Sequence, residues 1–388
     1  MIKLTIIKSA FVFIVSFLII GICYIAPIIK LFPKLTGKYF VGSEKLYFID
    51  GQRKELFSHN INDQRILTGH IFFPTENIIG LKRIQYLSDK IPFLKKSLAV
   101  FWRIPEWLTH LFFSNVSTNA YLSASLSESK SRYPVVLFSH GLLGLPSDAY
   151  LVILEELASH GYIVIGIDHS YFNLITVFPD GSFASSKKLT AEFEKLLPGE
   201  QNEFQAKAIG IYKTDIKFVL DQLATVNQDP ASKFYRRLDL EKVCVMGHSA
   251  GGTASIELCR NDVRCKAAIN LDGWYDHIIG AEPIQQPLLL LFGSKSIEVV
   301  EPTAEYLKKK QLTKELYFEC EQKISEHRKR LCAVQNCSMI ILPNVSHGDF
   351  GDGILLKWPL RALNDADSYQ TILTINKHIL EFLDKNLK

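Results

Sequence analysis

Metal-binding patterns are absent from this 388-residue sequence, whose seven cysteines include no CxxC pair and no Cys/His spacing typical of zinc. It also contains no internal repeat and no low-complexity tract. Excess positive charge is confined to the N-terminus, where Lys3, Lys8, Lys30 and Lys34 account for the whole net charge of +4. We therefore expect no metal, no organic cofactor and no nucleic-acid partner.

Apolar residues make up 47% of the chain and charged residues 22%, which are ordinary values for a globular protein with a sizeable core. Residues 10–29 form an uncharged, mostly apolar run that as a helix would be about 30 Å long, enough to cross a bilayer. We predict a signal anchor within residues 1–34, followed by one globular domain over residues 35–388. A cleaved signal peptide is the alternative. Lysines flank both ends of the run, so the orientation stays open.

The cysteines favour an oxidising compartment outside the cytoplasm. Cys259 and Cys265 flank a short loop between a predicted helix and a predicted strand and could close it with a disulfide, and Cys320 could pair with Cys332 or Cys337. Five free thiols in a reducing cytosol are the alternative. The expected location is a membrane-anchored domain on the extracytoplasmic side, or a secreted protein if the signal is cleaved.

Short apolar strands alternate with helical segments through most of the chain. Continuous apolar strands of this kind predict a mostly parallel sheet with helices on both faces, as in the α/β-hydrolase fold. The predicted strands span residues 46–49, 66–73, 134–138, 163–167, 243–246, 267–271, 287–292 and 338–342, and the main predicted helices span residues 147–160, 203–223 and 372–387.

Two segments depart from this alternation. Residues 91–114 are rich in aromatic and basic side chains, which fits either a lipid-docking or lid segment or a helix packed on the core. Residues 298–337 are charged and helical, and we interpret them as an inserted pair of solvated helices.

The strand at residues 243–246 leads into Gly247-His248-Ser249-Ala250-Gly251 and then into a helix that begins with small residues. This is the G-x-S-x-G nucleophile elbow in the strand–turn–helix context that the motif requires. A helix N-terminus there also favours a developing negative charge. The pattern predicts Ser249 as a nucleophile.

A serine nucleophile needs a histidine base that is oriented by a carboxylate, and in this architecture both follow the serine in the chain. Of the four later histidines, His347 lies in a loop directly after the last strand, whereas His327 and His378 are expected at the surface. For the acid, Asp272 directly follows a strand and Glu298 is more loosely tethered. We favour His347 and Asp272.

The oxyanion hole needs two backbone N–H groups, one of which should come from Ala250, the residue after the nucleophile. The loop after residues 134–138 supplies the other, and His140-Gly141-Leu142 suits it because glycine lets the backbone turn inward. We expect His140 itself to make structural hydrogen bonds.

The sequence resembles the plasma-type platelet-activating-factor acetylhydrolase family. The resemblance is carried by residues 134–142, 157–164, 247–252 and 271–274, and by the Ser249-to-Asp272 interval, which places the acid one strand earlier than is common. It implies Ser249 as nucleophile, His347 as base, Asp272 as acid, and the N–H groups of Leu142 and Ala250 as oxyanion donors. Ala250 departs from the phenylalanine that is frequent in the family.

The resemblance implies calcium-independent hydrolysis of short or oxidised sn-2 acyl chains of phospholipids, whereas the residues alone support carboxyl-ester hydrolysis on a lipid or small ester. The alternatives are a general esterase, an acyltransferase or a peptidase with the same triad, and a catalytically silent membrane-anchored binding protein.

Overall fold

The computed structural model describes residues 32–102, 105–113, 116–273, 283–355 and 366–388. Their strands are β1 (Phe40–Lys54), β2 (Gln64–Thr75), β3 (Arg83–Gln85), β4 (Ser117–Leu122), β5 (Tyr133–Ser139), β6 (Ile163–His169), β7 (Thr176–Val177), β8 (Phe183–Ala184), β9 (Leu238–His248), β10 (Cys265–Leu271), β11 (Leu288–Gly293) and β12 (Cys337–Leu342). The α-helices are α1 (Ile91–Trp102), α2 (Glu106–Phe113), α3 (Leu151–Ser159), α4 (Lys187–Phe193), α5 (Pro198–Gln228), α6 (Ala250–Asn261), α7 (Ser294–Ile297), α8 (Ala304–Lys310), α9 (Lys314–Leu331) and α10 (Ala366–Leu387).

One large sheet contains ten of these strands in the order β12-β11-β10-β9-β5-β6-β2-β1-β4-β3. The strands from β12 to β6 are parallel, whereas β2 runs antiparallel to both β6 and β1. Parallel neighbours need crossover connections, and helices supply them here. The predicted mostly parallel sheet with helices is confirmed.

Alternate side chains of β5 enter two separate apolar cores, one on each face of the sheet. Val136 and Phe138 belong to the core covered by α3 and α10. Val135 and Leu137 belong to the core covered by α5 and α6. All four side chains are fully buried, so the central strands are held from both sides.

The predicted insertion, residues 298–337, contains α8 and α9, which lie between β11 and β12 in the chain. Each helix is capped at its N-terminus by a threonine, Thr303 for α8 and Thr313 for α9, whose hydroxyl accepts a backbone N–H. Such caps stabilise a helix by satisfying a backbone N–H that has no partner within the helix.

Two expectations for this insertion were wrong. Cys320 is exposed and free, and Cys332 pairs with Cys337 instead. Cys332 follows Cys320 by twelve positions, about 18 Å along α9, whereas the Cα atoms of Cys332 and Cys337 lie 5.1 Å apart across a turn. His327 is buried rather than at the surface, because the last turns of α9 pack on β11, where Arg328 lies 5.1 Å from the Phe292 ring.

The other predicted disulfide, Cys259–Cys265, is present and joins the end of α6 to the start of β10. In the aromatic segment, residues 91–114, the structure has helices α1 and α2. Ile91, Leu94 and Phe113 are buried in the same core as α3, whereas Phe93 and Trp107 are exposed. This part of the chain therefore packs on the core along one side.

The predicted signal anchor lies almost entirely outside the described residues, which begin at Phe32. Among the helices of the described ranges, none combines the length and the apolar character that a membrane span requires.

Candidate active site

Ser249 stands in a sharp turn between β9 and α6. Its backbone has a φ of 55° and a ψ of −123°, a conformation that costs a non-glycine residue on the order of 1–3 kcal/mol. The Ser249 N–H donates to the Leu271 carbonyl at 2.9 Å, which ties the turn to the end of β10. A Cβ atom at Gly251 would overlap the Ser139 carbonyl, so this close passage of α6 beside β5 requires glycine.

Asp272 and His347 are hydrogen-bonded to each other, with 2.6 Å between Asp272 Oδ2 and His347 Nδ1. Asp272 follows β10 directly and is buried, and its Oδ1 accepts the Gly293 N–H at 2.9 Å. Burial raises the pKa of Asp272, but the bonds from His347 and Gly293 outweigh burial and hold that pKa below its usual value. The carboxylate is therefore ionised and oriented toward His347 at neutral pH.

The register of the sheet brings Ser249 and Asp272 to the same edge. His248 pairs with Leu271 in β10, and Leu271 pairs with Leu291 in β11. Ser249 and Asp272 therefore leave neighbouring strands at the same level, as expected for the carboxyl ends of parallel strands. Glu298, the other candidate acid, follows α7 and is exposed.

His347 begins a short 3-10 helix, His347–Phe350, five residues after the end of β12. The loop is anchored beyond this point by Asp352, whose carboxyl oxygens accept the N–H groups of Leu151 and Val152 at 3.0 and 2.9 Å. The N-terminus of α3 thus holds the segment that carries His347.

His248, the residue before the serine, contacts the same loop. Its Nε2 lies 2.9 Å from the His347 carbonyl oxygen and its Nδ1 lies 2.9 Å from the Tyr150 hydroxyl. Sequence reasoning missed both residues. The position of His248 inside the nucleophile motif was a usable signal, whereas Tyr150 carries no sequence signal of its own.

The loop after β5 lies against the serine. A Cβ at Gly141 would come within 3.3 Å of Ser249 Cβ, so glycine permits this approach. The Gly141 carbonyl accepts a hydrogen bond from His140 Nδ1 at 2.8 Å. Within the described residues, the N–H groups of Leu142 and Ala250 have no hydrogen-bond acceptor.

His140 is part of a fully buried polar cluster behind this loop. The His169 N–H donates to His140 Nε2 at 3.0 Å, so Nδ1 carries the proton that bonds Gly141. Burial lowers the pKa of His140 to about 3, with repulsion from His169 adding to the shift. His140 is therefore neutral, and the predicted structural role fits these bonds.

Two of the other histidines that follow the serine lie elsewhere, and the third is not described. His378 is on α10 beside Glu381, His327 is on α9, and His277 lies outside the described residues. Within the ranges that the structure describes, no three His, Cys, Asp or Glu side chains form a group suited to a metal ion.

This architecture, with a strained serine after a central parallel strand and an Asp–His pair at the neighbouring strand ends, is consistent with the α/β-hydrolase class. The family model described as platelet-activating factor acetylhydrolase, isoform II, matches residues 26–388. The chain belongs to this family.

Individual relatives agree with this assignment. A platelet-activating factor acetylhydrolase of Canis lupus familiaris is 27% identical over 92% of this chain and 77% of its own length. A probable 1-alkyl-2-acetylglycerophosphocholine esterase of Arthroderma benhamiae is 28% identical over 40% of this chain and 36% of its own length. The solved structure of a ferulic acid esterase from Streptomyces cinnamoneus matches with a TM-score of 0.64 and 22% identity, covering 91% of this chain and 92% of that one, and indicates the fold alone.

Family membership makes the chain a carboxylic ester hydrolase that acts on lipid esters. The assignment of individual residues to steps of the reaction needs a separate argument from the geometry.

Proposed function

We propose that the chain hydrolyses the sn-2 ester of phospholipids with short or oxidised acyl chains, using Ser249, His347 and Asp272 as a catalytic triad. The observation that carries the proposal is the 2.6 Å bond between Asp272 and His347, made at the strand ends where the Ser249 turn lies. A histidine held in this way is the base that a serine hydroxyl needs.

The reaction has two halves. Ser249 Oγ attacks the acyl carbonyl while His347 Nε2 takes the hydroxyl proton, and the tetrahedral intermediate collapses to an acyl-enzyme as His347 returns the proton to the departing lysophospholipid oxygen. Water then attacks the acyl-enzyme while His347 takes its proton, and His347 returns that proton to Ser249 Oγ as the carboxylic acid leaves. The ionised Asp272 stabilises the imidazolium that forms in each half.

The oxyanion is held by the N–H groups of Leu142 and Ala250. The carbonyl of Gly141 and the N–H of Leu142 belong to one trans peptide and point in opposite directions. Because His140 binds that carbonyl on the buried side, the Leu142 N–H faces away from the buried cluster. The Ala250 N–H lies at the first turn of α6, where the helix N-terminus also favours negative charge.

The mechanism requires no metal, so hydrolysis is expected to continue in the presence of a chelator. The phospholipid substrate rests on the family, whose curated members include platelet-activating factor acetylhydrolases. A general esterase, an acyltransferase and a peptidase would use the same three residues, so a substrate panel separates them.

The test is Ser249→Ala, compared with wild type on short-acyl phospholipids, long-acyl phospholipids, simple esters and peptides. We expect at least about a thousandfold loss of phospholipid hydrolysis and no labelling by a fluorophosphonate probe. The control Ser232→Ala, in a remote turn, should keep both. Undiminished hydrolysis by Ser249→Ala would refute the triad, and wild-type protein that neither hydrolyses any ester nor labels would favour a silent binding protein.

We also propose that residues 1–34 anchor the enzyme to a membrane with its catalytic domain on the extracytoplasmic side. The uncharged run at residues 10–29 and the two disulfides, Cys259–Cys265 and Cys332–Cys337, support this location. Fractionation of cells that express the full chain should place it in the membrane fraction after an alkaline wash, and protease added outside should reach the catalytic domain. Recovery of a shortened chain from the medium would favour the cleaved signal instead.

A further inference from the structure

We propose that His248 and Tyr150 are positioning residues that hold the backbone of the base, His347, in the geometry required for proton transfer. This inference rests on the proposed triad and deepens it. The bridge runs from the Tyr150 hydroxyl through the His248 ring to the His347 carbonyl oxygen, with 2.9 Å at each step.

The direction of both hydrogen bonds follows from the chemistry of the acceptor. A carbonyl oxygen only accepts, so His248 Nε2 must carry the proton that binds the His347 carbonyl. A neutral imidazole has one N–H, so Nδ1 is unprotonated and accepts the Tyr150 O–H. Tyr150 thus fixes the tautomer of His248 that His347 requires.

The surroundings keep His248 neutral. The residue is 6% exposed, and its ring lies 4.5 Å from the His347 ring and 6.0 Å from the Phe350 ring. Burial, with repulsion from His347 adding to it, lowers the pKa of His248 to about 3. A neutral neighbour matters because His347 becomes cationic during catalysis, and a second cation at this distance would oppose that change.

His347 is consequently held at two points. Asp272 holds the side chain through Nδ1, and His248 holds the backbone through the carbonyl oxygen. The side-chain bond alone leaves the ring able to pivot about Nδ1, whereas a second anchor on the backbone restricts that pivot and with it the direction of Nε2. A displacement of about 1 Å at a reacting group costs up to about a hundredfold in rate.

The experiment compares kcat, KM and the rate of fluorophosphonate labelling in His248→Phe, His248→Gln and Tyr150→Phe. His248→Phe keeps the ring volume but removes both bonds, and we expect kcat and the labelling rate to fall about 30-fold with KM changed less than about threefold. Glutamine places an amide N–H near the position of Nε2, so His248→Gln should recover most of that loss. Tyr150→Phe removes the hydroxyl that fixes the tautomer of His248, and it should lower kcat about fivefold.

Matched controls separate positioning from general damage. Tyr162→Phe also removes a hydroxyl, one that bonds Asp384 of α10 at 2.6 Å, and it should leave kcat unchanged. His160→Phe, which removes a histidine beside Glu156, should do the same. Thermal unfolding of every variant establishes that the compared proteins are folded.

The outcomes distinguish this inference from the proposed function. Folded His248→Phe and Tyr150→Phe proteins with wild-type kcat and labelling rates would overturn the positioning roles while Ser249→Ala stays inactive. Failure to regain activity in His248→Gln, with Phe and Gln equally impaired, would also count against them. If Ser249→Ala is fully active, the triad itself is wrong.

Discussion

At the residue scale, the site depends on one buried carboxylate. Asp272 is fully buried, accepts hydrogen bonds from His347 and Gly293, and has a positive φ of 55°, an unusual conformation for a residue other than glycine. The strain and the burial both carry a cost, and a side chain kept in such a position is expected to serve the chemistry rather than the stability of the fold.

Asp272→Asn tests this role directly. Asparagine has a single acceptor oxygen, so when that oxygen accepts the Gly293 N–H, the amide NH2 faces His347 Nδ1 and the orienting bond is lost. We expect kcat to fall about ten-thousandfold with little change in KM, as steady-state hydrolysis measures. Asp262→Asn removes a carboxylate paired with Arg264 at the other end of α6 and should be neutral. A loss of less than about tenfold in Asp272→Asn would contradict the assignment of the acid.

At the element scale, the insertion that contains α8 and α9 is stabilised by local features. Thr303 and Thr313 cap the two helices, and the Cys332–Cys337 disulfide closes the turn from α9 into β12. β12 in turn leads to the loop that carries His347. The disulfide therefore fixes the end of the insertion next to the start of β12, the strand that leads to His347.

The pairing is tested by serine substitutions. A disulfide that closes a loop of five or six residues stabilises a protein by about 2 kcal/mol in the chain-entropy model. We expect Cys332→Ser and Cys337→Ser each to lower the free energy of unfolding by about this amount in denaturant titrations. Cys320→Ser should leave it unchanged because Cys320 is free and exposed. If Cys320→Ser destabilises the protein as much as Cys332→Ser, the pairing is wrong.

At the scale of the whole molecule, several ionisable groups are buried with opposite effects on stability. Burial lowers the pKa of His70 to about 4 and that of His140 to about 3. Burial raises the pKa of Glu155 to about 7 and that of Asp352 to about 8. The histidines reduce stability as the pH falls below about 6.5, whereas the carboxyl groups reduce it as the pH rises from about 4 to their folded pKa values. The two sets therefore oppose each other between about pH 4 and pH 6.5.

His70→Gln removes one of the buried histidines that reduce stability at low pH. The depressed pKa of His70 means that its stabilising contribution is present above pH 6.5, the unfolded value, and is lost as the pH falls toward 4. Relative to wild type, the variant should therefore gain about 2 kcal/mol in the free energy of unfolding between pH 7 and pH 5. Denaturant titrations at the two pH values measure it, and His59→Gln, at an exposed position, is the control. A difference that does not change with pH would refute the prediction.

The sequence by itself determined the type of sheet and the nucleophile elbow, because both depend on local patterns of apolar residues and glycines. Apolar strands alternating with helices specify a parallel sheet covered on both faces, and a glycine-bounded serine after a strand specifies the elbow. The order of Ser249, Asp272 and His347 along the chain, each after a predicted strand, was enough to nominate all three, since parallel strands end at one edge. The short loop between Cys259 and Cys265 was enough to make them a candidate pair, which the structure contains.

Only the tertiary structure decided what depends on contacts between distant segments. The exposure of Cys320 and the burial of His327 depend on how α9 packs on the rest of the fold. The bridge from Tyr150 through His248 to His347 joins residues that no sequence period relates. A hydrogen bond between residues about a hundred positions apart is set by sheet register and helix packing, which the whole fold determines at once. The local conformational preferences of a segment do not contain the register or the packing.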